Sequence, residues 1–130
     1  MHLLLVDDDP LYLKMLRGWL AEKYMITAVK SGSQALAYLE GHKADLILLD
    51  YEMPEMTGSK VLELIRQNPE AADLPVIFLT GRSDEESIKR IMGQSPAGYL
   101  LKTMDRDSIV KAIDQFLTSG SLPEKTEERL

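Results

Sequence analysis

No cysteine occurs among the 130 residues, so neither a disulfide framework nor a thiolate metal site holds this chain together. That suits a reducing compartment, and the expected location is cytoplasmic. No apolar run approaches the roughly 20 residues that a membrane span requires, so no membrane contact is expected. The opening stretch MHLLLVDDD has too short an apolar segment and the wrong flank for a secretory signal. A basic surplus is also lacking. The net charge is −6, a poor match for a phosphate backbone, and no direct nucleic-acid binding by this segment is expected. Internal repeats are absent.

What is present is enough apolar material for a core. The chain is 45% hydrophobic, and its length suits one domain that hides about two-thirds of its unfolded surface. Short apolar runs alternate with segments of helical period. LLLV (Leu3–Val6), LILL (from Leu46) and PVIFLT (ending at Thr80) are unbroken and too short for helices. YMITAV (Tyr24–Val29) and GYLL (Gly98–Leu101) are more mixed. Between them lie five helical segments. The first carries Leu13, Leu16 and Leu20, with Trp19 beside them. Ser31 caps the second, which has Leu36, Tyr38 and Leu39 on its apolar side and Gly41 as its stop. Thr57 caps the third, with Val61, Leu62, Leu64 and Ile65, and Asn68-Pro69 ends it. The fourth turns Ile88, Ile91 and Met92 inward. The last covers about residues 106–117, with Met104 and Ile109 at staple spacing around a capping Asp105.

The order βαβαβαβαβα predicts an α/β fold built on a parallel sheet. The three unbroken strands belong in its centre, buried on both faces, and the two mixed ones at its edges. Right-handed crossovers with one reversal favour a single doubly wound (βα)5 sandwich of strand order 2-1-3-4-5, the flavodoxin-like arrangement. The domain is expected to span residues 1–118. Residues 119–130, SGSLPEKTEERL, are polar, have little to pack, and read as a tail or linker. Pro123 and the residues after it could also open a connecting helix.

Ligands of such sheets bind beyond the carboxyl ends of the strands. Those ends carry Asp7, Asp8 and Asp9, then Asp50, Thr80 and Lys102. Carboxylates about 4 Å apart repel by a few kcal/mol at moderate effective dielectric, so a proton or a cation must join them. A hard divalent ion such as Mg²⁺ takes one or two carboxylates and leaves room for water and phosphate oxygens. An Asp beside it is a competent nucleophile toward phosphorus, and a lysine offsets the added charge. The strand aims Asp50 at the pocket, and the break after it frees the backbone carbonyl of Glu52 for the metal.

In this order and spacing, LLLVDDD, LILLDYEMPEMTG, VIFLTG and GYLLK resemble the receiver domain of bacterial two-component response regulators over residues 1–118. The resemblance implies a phosphorylation-controlled switch. A phosphoryl group passes from the phosphohistidine of a sensor histidine kinase or phosphotransfer protein onto Asp50. It further implies that Asp8 binds Mg²⁺ directly, Asp7 largely through water, Asp50 through its side chain and Glu52 through its main-chain oxygen. Thr80 and Lys102 grip the phosphoryl group, and Tyr99 occupies an aromatic switch position. The changed face involves the fourth helix, fifth strand and last helix, and controls a C-terminal output domain or a separate partner. A homodimer through that face stays open, with no residue to argue it. One departure is Thr103, which stands where the family usually has proline after its lysine. A cis bond to a non-proline residue costs about 2.5–4 kcal/mol, so a trans peptide is expected there. Glu52 and Arg82, each two residues beyond a strand-end residue, are expected to form a salt bridge over the pocket mouth. That pair would restrict attacking water and lengthen the life of the phosphorylated state.

Plainer readings stand beside these. Asp7–Asp9 could be a strand-to-helix turn, with Asp9 capping the helix that Pro10 opens. Thr80 could be an ordinary strand-end hydroxyl, Lys102 a solvated edge lysine and Tyr99 a packing aromatic. Two other functions compete. One is a pseudo-receiver, a binding module with the fold and no phosphorylation. The other is a phosphatase resembling the haloacid dehalogenase superfamily, with Asp7 and Asp9 as its first motif. The phosphatase reading leaves Asp50 unexplained and needs Thr or Val where Pro10 stands.

Overall fold

The structure, a computed structural model, describes residues 1–123. The proposed helix beyond Pro123 lies outside the described residues. Ten elements alternate: β1 (His2–Val6), α1 (Pro10–Leu20), β2 (Met25–Val29), α2 (Gly32–Leu39), β3 (Leu46–Asp50), α3 (Gly58–Gln67), β4 (Val76–Thr80), α4 (Glu85–Met92), β5 (Gly98–Leu101) and α5 (Arg106–Ser119). The strands form one parallel sheet of order β2-β1-β3-β4-β5, as the pattern predicted. β3 and β4 are buried at every residue, whereas β2 and β5 keep partly exposed positions at the edges.

Side chains alternate across the pleat, and the apolar runs therefore feed two cores. Leu3, Leu5, Leu46, Leu48, Ile77 and Leu79 face α1 and α5. Leu4, Val6, Ile47, Leu49, Val76 and Phe78 face α2, α3 and α4. Each helix starts on a side-chain oxygen that accepts a first-turn N–H: Asp9, Ser31, Thr57, Asp84 and Asp105. These caps satisfy donors that helix starts otherwise leave unpaired.

Some details differ from expectation. Met92 is exposed, not inward. The buried stripe of α4 runs through Ser87 and Ile91, and Met92 falls on the half-buried Ile88 side of it. Gly41 does not end α2 through a left-handed turn. The helix tightens instead, with Glu40 N–H donating to Ala37 and Tyr38 carbonyls. The left-handed glycine cap occurs at Gly120, φ 86°, and α5 runs two residues further than expected. That reversal folds the chain back so that Leu122 packs against the α1–α5 core, close over Gly98 of β5. Residues 119–123 therefore have something to pack on. Among the described residues no peptide is cis, so Lys102–Thr103 is trans, and no helix is long and apolar enough to cross a membrane.

Candidate functional site

β1 and β3 are neighbours, and their carboxyl ends bring Asp7 and Asp50 together. Asp7 continues the ladder, its N–H donating to the Val29 carbonyl at 3.2 Å. It is wholly buried, and Asp50 is 3% exposed. Asp8 is exposed at the rim. Carboxylate oxygens of Asp7, Asp8 and Asp50 lie within 4.8 Å of one another. Asp9 stands apart as the cap of α1, accepting from the Leu11 and Tyr12 N–H groups at 3.0 and 3.4 Å. Its own N–H donates to Asp7 Oδ1 at 2.9 Å, which fixes the Asp7 carboxylate.

Lys102 reaches the same place from β5. Its N–H extends the ladder to the Thr80 carbonyl at 2.8 Å. Its Nζ lies 2.7 Å from Asp7 Oδ2 and 3.2 Å from Asp50 Oδ1. One ammonium meets a cluster of three carboxyls, and the imbalance shows in the protonation of Asp50. Burial, then the Asp7 charge, push Asp50 up to about 8; Lys102 offsets part of this, and a hydrogen bond with Asp8 adds to it. Burial works against the charge of Lys102, but hydrogen bonds to and charges of Asp7 and Asp50 outweigh it and hold the ammonium above the ordinary lysine range. This set of hard oxygens, short of positive charge, fits a divalent cation of the Mg²⁺ kind.

Strand parity divides the remaining side chains. Asp7, Asp50 and Lys102 continue the α1–α5 face, since they follow Leu5, Leu48 and Leu100 at two-residue spacing. Thr80 continues the other face, after Val76 and Phe78. It is 1% exposed, and its Oγ1 accepts from the Arg82 N–H at 3.0 Å. Tyr99 is half-buried on that same face with Ile88 and Ile91. Asp7, Asp50 and the lysine thus meet on one side of the sheet, and the hydroxyl and switch-position tyrosine lie on the other. Glu52 and Arg82 do pair: Arg82 Nε donates to Glu52 Oε2 at 2.9 Å, both side chains exposed. Glu52 N–H also donates to Asp50 Oδ1 at 3.3 Å.

One neighbour was not singled out in the sequence. Tyr12, in the first turn of α1, lies with its ring centroid 5.0 Å from Lys102 Nζ. The signal was there, four residues before Leu16 on the buried stripe and directly after the acids, but an aromatic at helical spacing reads as core. Burial, then the charges of Asp7 and Asp50, push its hydroxyl up to about 12. A cleft of about 450 Å³ lined by residues 39–45, Pro69, Glu70 and Pro75 holds none of these side chains. A recess of about 110 Å³ reaches Asp8, beside Ser31, Met53 and Pro54.

Fold and rim together define a doubly wound α/β domain with an acidic, cation-compatible pocket at its strand ends. The family model described as "Response regulator receiver domain" matches residues 3–114, and the chain belongs to that family. Among its relatives, a protein of Vibrio cholerae named "Probable cyclic di-GMP phosphodiesterase" is 45% identical over 84 residues, 65% of this chain and 19% of that protein. The transcriptional regulatory protein GlrR of Escherichia coli is 35% identical over 98% of this chain and 28% of its own length. The chain thus spans under a third of these curated relatives. The signal receiver domain of a histidine kinase from Syntrophus aciditrophicus superposes with TM-score 0.81 at 27% identity, covering 90% of this chain and 89% of that one. Receiver domains are phosphoacceptor signalling domains of two-component systems and not catalytic enzymes, which sets the phosphatase reading aside.

Proposed function

We infer that this domain is a switch that takes a phosphoryl group from the phosphohistidine of a sensor kinase or phosphotransfer protein onto Asp50. The observation that carries the reading is the placement of a buried Asp50 carboxylate beside Asp7, Asp8 and the Lys102 ammonium, at the end of a central strand. An Asp50 oxygen attacks phosphorus, the P–N bond to the donor histidine breaks, and the electron pair leaves with the imidazole. Attack needs the carboxylate, yet Asp50 without a cation keeps its proton near neutrality. The carboxylates of Asp7, Asp8 and Asp50 and the Glu52 carbonyl are the groups to hold Mg²⁺, which when bound supplies the missing positive charge. Lys102, already within reach of Asp50, pairs with a phosphoryl oxygen. Thr80 donates its hydroxyl to another.

The threonine and Tyr99 share the α3–α4 face, so a shift of one bears on the packing of the other. Phosphorylation would bias a two-state equilibrium of the α4–β5–α5 face. We take the working domain to run from β1 through α5 and to include Leu122, which packs on the α1–α5 core beyond the expected boundary at 118. The remainder leads toward an output domain or leaves the domain to act on a separate partner or a second copy, in the cytoplasm. The Glu52–Arg82 pair contributes little to stability, because both side chains are exposed; its place suits a barrier to hydrolytic water. Incubation with phosphoramidate and Mg²⁺, followed by intact mass measurement, tests the reading. One added phosphoryl group that disappears in Asp50→Asn is expected. No addition to the parent overturns the reading in favour of a pseudo-receiver. Glu52→Ala and Arg82→Ala are each expected to speed dephosphorylation, and unchanged rates in both remove the barrier.

A further inference from the structure

Tyr12 is 9% exposed, yet its hydroxyl has no hydrogen-bond partner among the described residues. A buried tyrosine ordinarily pairs its O–H. The contact the structure gives this side chain at the site is through its ring. Its centroid lies 5.0 Å from Lys102 Nζ, inside the range at which a ring quadrupole attracts an ammonium.

Lys102 needs such a contact. It carries a flexible four-carbon stem at the end of an edge strand, and its ammonium must settle among carboxyls. Asp7 and Asp50 hold it from the strand ends, and Asp8 stands exposed at the rim. The Tyr12 ring bounds that freedom from the α1 side. Its own placement is tied to the acids: Asp7 Oδ1 accepts from the Asp9 N–H, and Asp9 accepts from the Tyr12 N–H. One short segment, residues 7–12, thus sets both the carboxylate and the ring that Lys102 meets.

We propose that Tyr12 is a positioning residue, whose ring holds the Lys102 ammonium against Asp7 and Asp50. A carboxylate changes partners when a cation or phosphoryl group arrives, whereas a ring does not. Tyr12 is the contact that keeps Lys102 in place through that exchange. This consequence rests on the phosphoacceptor role of Asp50; the positioning itself does not.

The test begins in metal-free, unphosphorylated protein. The acylation rate of Lys102 by an amine-reactive ester is read by peptide mass spectrometry, relative to exposed Lys14. Tyr12→Phe keeps the ring and is expected to protect Lys102 as the parent does. Tyr12→Leu keeps apolar bulk without the quadrupole and is expected to raise the rate about three- to tenfold. Replacing Tyr12 with phenylalanines of increasing fluorination drains the ring face at nearly constant shape, and reactivity should climb with each fluorine. This series decides the matter even where Tyr12→Leu fails to fold. Parent-like protection across the fluorinated series, or equal exposure in Tyr12→Phe and Tyr12→Leu, overturns the proposal. With phosphoramidate and Mg²⁺, the initial phosphorylation rate should fall in Tyr12→Leu and recover in Tyr12→Phe. A parent that accepts no phosphoryl group defeats the switch reading alone, since lysine protection is measured without it.

Discussion

Asp50 is where burial and like charge collide. Its pKa of about 8, against 3.8 for the free group, means that the folded, metal-free protein binds a proton which the unfolded chain releases. Stability is then fully present below the ordinary carboxylate range and is lost as pH rises through about 8. Asp50→Asn removes the cost. In chelator, the unfolding temperature of Asp50→Asn should exceed that of the parent at alkaline pH by several degrees for each kcal/mol relieved, and the gap should close toward about pH 4. Added Mg²⁺ should raise the parent more than the variant. Thermal scans at two pH values, with and without chelator, check all three outcomes. A parent whose stability is flat between these pH values would place the proton elsewhere.

Among the elements, the β3–α3 turn closes on backbone and leaves no room for a side chain at Gly58. Gly58 donates its N–H to the Tyr51 carbonyl at 3.0 Å. A Cβ there would lie 2.5 Å from the Asp50 carbonyl and 2.9 Å from Tyr51 Cα. Both are backbone atoms and cannot rotate away. Gly58→Ala should therefore cost about 1–3 kcal/mol or more, measured by urea unfolding, and should lower phosphoryl uptake by displacing Asp50. The sequence made the strands and their order plain, because LLLV, LILL and VIFL are unbroken runs that suit only a sheet covered on both faces. The places of Asp7, Asp50 and Thr80 were legible because each ends such a run, and that of Lys102 because it ends the more mixed GYLL. Gly58 was not legible, since a glycine after a capping Thr57 is unremarkable until the turn closes on it. Tyr12 was hidden for a related reason. Its helical spacing announces burial but not what it is buried against. Met92 misled because the apolar period continues one residue past the cover that the sheet provides.

At the scale of the whole molecule, the two cores are closed at different places. The α1–α5 core is finished by a residue that composition assigns to a tail. Leu122, brought back by Gly120, covers Gly98 at the start of β5. Leu122→Ala should destabilise by roughly 1–2 kcal/mol, seen as a lower denaturant midpoint with an unchanged slope. A neutral result would make residues 121–123 dispensable to the fold. α5 is also tied to the α1–β2 turn, where Asp114 accepts from Lys23 Nζ at 2.5 Å and from the Tyr24 hydroxyl. Both ties hold the C-terminal half of α5 against the end of the sheet where β2 and β5 begin.

The even spacing of Leu46, Leu48 and Asp50 has an arithmetic consequence. One additional residue spliced into that strand would leave a hydrophobic ribbon behind, yet deliver its terminal carboxyl to the opposite side of the sheet. The outcome would be a well-formed molecule deaf to its donor, a mutation of count and not of chemistry.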